Sequence, residues 1–227
     1  MHHGKFYKLV PVINLDDGTL VGYDIHAVHE SSGTDILPES FCMPAIPDDF
    51  SSSLYLPLQR LSSQGMHLHI RFSVWALAKG IRHIKTNGSA IRMVASLRTG
   101  LLGKLTIYQR RVLEKNLKEL VHSGYDLWVT GRMPEILDEC GKLSFPIQGI
   151  KFHRDTLLYG TWYLRELHRS SKAYAPVILM DGIDTEDMLL RARMCGAHYG
   201  QGKLWEDMTL FYRDGHCISE SAVSLQE

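Results

Sequence analysis

The feature that most constrains this chain is an alternation. Short, strongly apolar runs recur at Met66–Phe72, Ala90–Ala95, Tyr125–Val129, Ile147–Phe152 and Val177–Met180, with helix-patterned segments between them. Runs of this kind suit parallel strands that are covered on both faces. Ahead of them, Tyr7–Asn14 and Thr19–His26 flank Asp16-Asp17-Gly18, a turn signal between two β-rich stretches, and read as an antiparallel hairpin. A hairpin followed by repeated β-α units predicts an α/β fold, a TIM-like (β/α) barrel whose first strand is antiparallel.

Local signals fill in the helices. In Leu105–Ser123 the residues Leu113, Leu117, Leu120 and Val121 fall at i, i+4, i+7 and i+8, one apolar stripe, and Gly124 follows as a stop. In VILMDGIDTEDMLLRARMCGAHYGQGKLW, residues 177–205, a buried strand leads to a helix, with Asp184 read as its N-cap and Asp187 closing a capping box. Residues 31–53 are rich in Ser, Pro and Asp and predict irregular chain, Leu54–Ser63 predicts a short helix, and the polar tail Asp214–Glu227 predicts partial disorder. With 227 residues and 44% hydrophobic content the chain can bury one full core, so a single domain over 1–227 is expected.

Charge and cysteine usage narrow the class. Basic and acidic residues number 25 each, which removes the global electrostatic reason to expect nucleic acid or an anionic membrane as partner. Cys42, Cys140, Cys195 and Cys217 are widely spaced with no CxxC pair, as buried thiols of a reducing cytosol would be. No run reaches the ~18 apolar residues needed to cross a bilayer. A soluble, cytoplasmic protein is the expectation.

Three segments carry a resemblance to a known family. PVINLDDGTLVGYDIHA, IQGIKFHRDTL and the 177–205 stretch resemble, in order and spacing, the opening hairpin, the Lys-Ile-Asp strand and the terminal acidic strand, helix and Gly-Gln-Gly exit of the EAL domains. The likeness runs from about Lys8 to Trp205. Those domains hydrolyse the bacterial second messenger cyclic di-GMP. The resemblance implies a barrel of EAL type with two divalent metals at its mouth, held by carboxylates and one amide.

Strand by strand, the oxygens that the resemblance calls for are replaced. The signature acid remains only as Asp24, and the arginine expected soon after aligns with Val28. The asparagine ligand aligns with Arg71, the next liganding glutamate with Ala95 and its companion with Arg98. An Asp-Asp pair aligns with Thr130 and Gly131, Lys151 is kept but is followed by His153, two late glutamates become Asp181 and Asp184, and Gln201 is kept. A guanidinium within ~5 Å of a divalent ion would repel it by roughly 6–7 kcal/mol at an effective dielectric constant near 20. No metal or other cofactor and no catalytic residue is therefore expected, these positions being vestigial. Lys151 is expected to pair with Asp24 or Asp181, and Arg71 to neutralise Asp24 and Asp181.

A barrel that keeps its scaffold without its metals is expected to act through its surface. The resemblance extends to small EAL-like proteins that bind a transcriptional regulator. It implies a non-catalytic regulator working by protein–protein interaction on motility, adhesion or biofilm genes. Cyclic di-GMP is not expected to be bound; a receptor without turnover and a weak phosphodiesterase are the rival readings. Direct nucleic-acid and membrane contact are not expected, and a homodimer is left open. Phe41, Met43, Leu54, Tyr55 and Leu56 are the candidate docking patch, on a connection that is short for the family. The pairs His26/His29 and His67/His69 lack cysteines at zinc-like spacing and read as ordinary histidines. The basic segments IYQRR and RELHRSSKAY read as solvated faces, no aromatic stacking platform being evident near them.

Overall fold

The structure, a computed structural model, describes residues 6–28, 60–72, 93–98, 105–122, 124–131, 135–143, 147–213 and 216–218. The chain opens on two long strands, β1 (Phe6–Asn14) and β2 (Leu20–Val28), paired antiparallel. Their connection is built by short polar side chains. The Asn14 carbonyl oxygen Oδ1 accepts the Asp16 amide at 3.0 Å, and Asp17 Oδ1 accepts the Thr19 amide at 2.9 Å and its hydroxyl at 2.7 Å. Gly18 supplies the positive φ of 75° that closes the turn.

From β2 onward the strands run parallel and in chain order: β3 (His67–Phe72), β4 (Met93–Arg98), β5 (Asp126–Gly131), β6 (Gly149–Phe152), β7 (Val177–Asp181) and β8 (Tyr199–Gln201). The far half of β1 then pairs with β8, through Ile13 and Asn14, which closes the ring. Its near half, Phe6 to Leu9, pairs instead with β9 (Leu210–Arg213), and β9 carries β10 (His216–Ile218) as a further antiparallel strand. The predicted α/β barrel with an antiparallel first strand is therefore the observed architecture. Within the tail, residues 216–218 form a strand on β9, and residues 214–215 and 219–227 lie outside the described residues.

Side chains alternate between two layers. Leu68, Ile70, Leu127, Val129, Ile150, Phe152, Ile178 and Met180 belong to the buried outer core. Helices α1 (Ile107–His122), α2 (Glu135–Cys140), α3 (Thr161–Ser171) and α4 (Glu186–Met194) occupy the crossovers, and Leu113 and Leu117 of the predicted α1 stripe, Ile136 and Leu164 are buried in that same core. α1 stops where expected, with Gly124 at φ 88°. The other face fills the barrel: Val12, Trp128 and Leu179 pack with Tyr199, and the Trp128 ring meets His69 edge-on at 5.0 Å. Gly149 lies under the Trp128 indole, where any Cβ would overlap the ring. Among the described residues, Cys140 and Cys195 are buried, and no helix is long and apolar enough to cross a membrane.

Strand ends depart from the sequence expectation in one direction. β4 ends at Arg98 instead of Ala95, β5 at Gly131 instead of Val129 and β7 at Asp181 instead of Met180. Apolar content marks where a strand is covered, while ladder pairing continues into polar residues. Residues 60–63 are helical and end the predicted 54–63 helix. The rest of it, the 31–53 segment and the candidate docking patch at Phe41, Met43, Leu54, Tyr55 and Leu56 lie outside the described residues.

Candidate functional site

The parallel strands deliver their C-terminal ends to one mouth, where barrel folds place their chemistry. Strand register decides which positions reach it. Asp24 stands opposite His69, Arg71 opposite Ser96, Ser96 opposite Trp128, Thr130 opposite Lys151, Lys151 opposite Leu179 and Asp181 opposite Gln201. This is the inward row, since Trp128 and Leu179 fill the barrel. Ala95 stands instead opposite Ile70 and Leu127, and Gly131 opposite Phe152, all three in the outer core. A one-residue step exchanges the faces of a strand, so the inward position on β5 is 130. The side chains of Val28, Arg71, Ala95, Ser96 and Arg98 lie outside the described residues.

Four side chains meet at the centre of the mouth. The Lys151 ammonium donates to Asp24 Oδ2, with the two residues 2% and 1% exposed, and stands 3.9 Å from Asp181 Oδ2. The Gln201 amide nitrogen donates to Asp181 Oδ1 at 2.9 Å and points at Asp24 Oδ2 from 3.5 Å. Reversing that amide would aim its oxygen at two carboxylates, so the orientation follows from the network. The imidazole Nε2 of His26 completes the group at 3.1 Å from Asp24 Oδ2. Thr130 is buried in the same row.

Asp184 has moved out of this group. Its Oδ2 accepts from Arg154 at 2.7 Å and its Oδ1 from the Lys203 amide at 3.1 Å. The cap of α4 is Thr185, whose hydroxyl accepts the Met188 amide at 3.3 Å, so the predicted Asp184 cap is corrected by one residue. The Arg154 link depends on Gly182, at φ 77°, because a Cβ there would run into the Arg154 side chain. His153 faces outward: its Nδ1 lies 3.2 Å from Asp155 and caps the 3-10 segment Arg154–Leu158.

Sequence reasoning paired Lys151 with Asp24 or Asp181 but did not place Gln201 against the two carboxylates, and it passed over His26 as Asp24's companion. Residues two apart on a strand share a face, and the Asp24-x-His26 spacing carried that signal.

The donor set decides what the mouth can hold. A hard divalent cation needs about six oxygens. The group offers two carboxylates whose facing oxygens already accept from an ammonium and an amide N–H. The inward row adds only the uncharged Thr130, and the third acid, Asp184, is committed to Arg154 and the Lys203 amide. These residues do not fit the metal pair that the family resemblance implies.

No protein-family model matches the chain, and no characterised protein matches it in sequence. Solved structures do match. The Klebsiella pneumoniae BlrP1 calcium/cyclic-di-GMP complex aligns over 94% of this chain and 57% of its own, at 14% identity and a TM-score of 0.66. The FimX EAL domain from Pseudomonas aeruginosa bound to cyclic di-GMP aligns over 87% of this chain and 88% of its own, at 16% identity and a TM-score of 0.63. The EAL domain of Mycobacterium smegmatis DcpA aligns over 99% and 96%, at 14% identity and a TM-score of 0.62. The chain spans only 57% of BlrP1 and 65% of the EAL enzyme Bd1971. At such identities the likeness establishes the fold, which is that of the EAL domains.

Proposed function

We propose that this chain is a single-domain, non-catalytic regulator of EAL fold that acts by binding another protein. The partner class is a transcriptional regulator, and the output is expression of motility, adhesion or biofilm genes. One observation carries the non-catalytic part: Thr130, uncharged, stands beside Lys151 in the buried inward row, where the resemblance calls for carboxylates. Asp184, the remaining acid, is committed to Arg154 and the Lys203 amide. The reading assigns no cofactor and no direct contact with nucleic acid.

The decisive measurement is turnover of cyclic di-GMP by purified protein with Mg²⁺ or Mn²⁺. No cleavage is expected. Metal-dependent cleavage, or strong anomalous density beside Asp24 and Asp181 after a manganese soak, overturns the reading. The likeness to domains solved with cyclic di-GMP supports a second reading, a receptor without turnover. Calorimetry separates the two, since saturable heat on adding the dinucleotide is expected only of the receptor.

A further inference from the structure

Three of the large apolar side chains that the described residues expose fall within five positions, at the join of the 3-10 segment and α3: Leu158 is 72% exposed, Trp162 76% and Tyr159 43%, its ring against Tyr163 at 4.7 Å. α3 buries Leu164, Leu167 and Ser171. Trp162, Arg165 and Arg169, at i, i+3 and i+7, form a stripe on the opposite side. The aromatic group missing from the sequence reading of this basic segment is therefore present beside it.

The stripe is also unbalanced in charge. Arg165 has no ion pair among the described residues, and Arg169 reaches only Glu166, at 4.0 Å. Lys172 follows at the helix end. Three cations face one carboxylate. A solvated helix does not require an open tryptophan and leucine beside such a set, and contiguous exposed apolar groups rimmed by one sign of charge mark docking sites. The 3-10 segment that carries Leu158 is also anchored at its start, where Arg154 is bonded to Asp184 and packed over Gly182, so its backbone loses little freedom on binding.

Resting on the reading of this protein as a binding regulator, we infer that the Leu158–Trp162–Arg165–Arg169 face is its docking surface, and that the occupant is an acidic amphipathic helix of the partner. A second copy of this chain is the poorer fit, since pairing the face with itself sets its excess cations against one another. Nucleic acid is the poorer fit because basic and acidic residues balance at 25 each over the chain, which gives a polyanion no wider field to follow.

The test uses the purified full chain and a short labelled helical peptide with leucines at i, i+3, i+4 and i+7 and glutamates elsewhere, beside a lysine counterpart. Fluorescence anisotropy is expected to show saturable binding of the glutamate peptide, weakening as salt rises, and none of the lysine peptide. Trp162→Ser should weaken it by about tenfold or more, and Arg165→Glu with Arg169→Glu should reverse the preference. Both variants alter exposed groups, so unchanged circular dichroism confirms folding. Four results overturn the inference: no binding of the glutamate peptide, equal binding by Trp162→Ser, tighter binding of phosphatidylglycerol vesicles or oligothymidylate through the same residues, or a dimer in sedimentation that Trp162→Ser splits. Cyclic di-GMP turnover is a separate outcome, so failure of the regulator reading and failure of this surface are distinguishable.

Discussion

Lys151 brings a full charge to a place that water barely reaches, and its neighbours answer for it. Removing one member of a buried ion pair strands the other, at about 3–5 kcal/mol. Lys151→Met is therefore expected to lower the unfolding free energy read from urea denaturation by that amount, and adding Asp24→Asn to recover part of the loss; equal losses in single and double variants would show that the pair is not coupled. Gly149 answers to the indole above it, and Gly149→Ala should cost about 1–3 kcal/mol by overpacking, read from the same denaturation curves. His168 sets a pH dependence. Burial, then Lys172 and His198, hold its imidazole below the usual 6.5. The unfolded chain therefore takes up the proton first as pH falls. Stability should be full above about 6.5 and decline below it towards the lowered folded value. His168→Phe should flatten that slope in thermal melts taken across the range.

At the scale of elements, the α4 cap gives a sharp contrast between neighbours. Thr185→Ala should cost about 1 kcal/mol, the usual worth of a cap, and shorten the helix by hydrogen exchange. Asp184→Ala should leave the cap intact and free Arg154 and the Lys203 amide instead. The sequence could not separate the two, because DGIDTED offers three candidate cap residues in four positions and only the backbone angle of Thr185 selects one. Strand identity was legible for β1 to β7 from apolar runs and the Asp-Asp-Gly turn. Strand ends were not, since Thr130 and Asp181 are polar because they face the mouth, and polarity is what a periodicity reading takes for a loop. Asp24, Lys151, Asp181 and Gln201 were legible from motif order alone.

At the scale of the molecule, β1 is shared: β8 takes one half and β9 the other. Cutting the chain after Met208 should leave the barrel closed but expose to rapid hydrogen exchange those amides of Phe6 to Leu9 that face β9, with those facing β2, and Ile13 and Asn14, protected as before. Loss of protection at both sites would mean that the ring depends on β9. The pairing of Phe6 with Arg213 and of Asn14 with Tyr199 also joins stretches that lie far apart along the polypeptide. During synthesis the hairpin must wait, its outer edge unmet, until every other strand of the barrel has left the ribosome. This protein's seam is therefore sewn last, and whatever guards that waiting edge in the cell acts before the barrel exists.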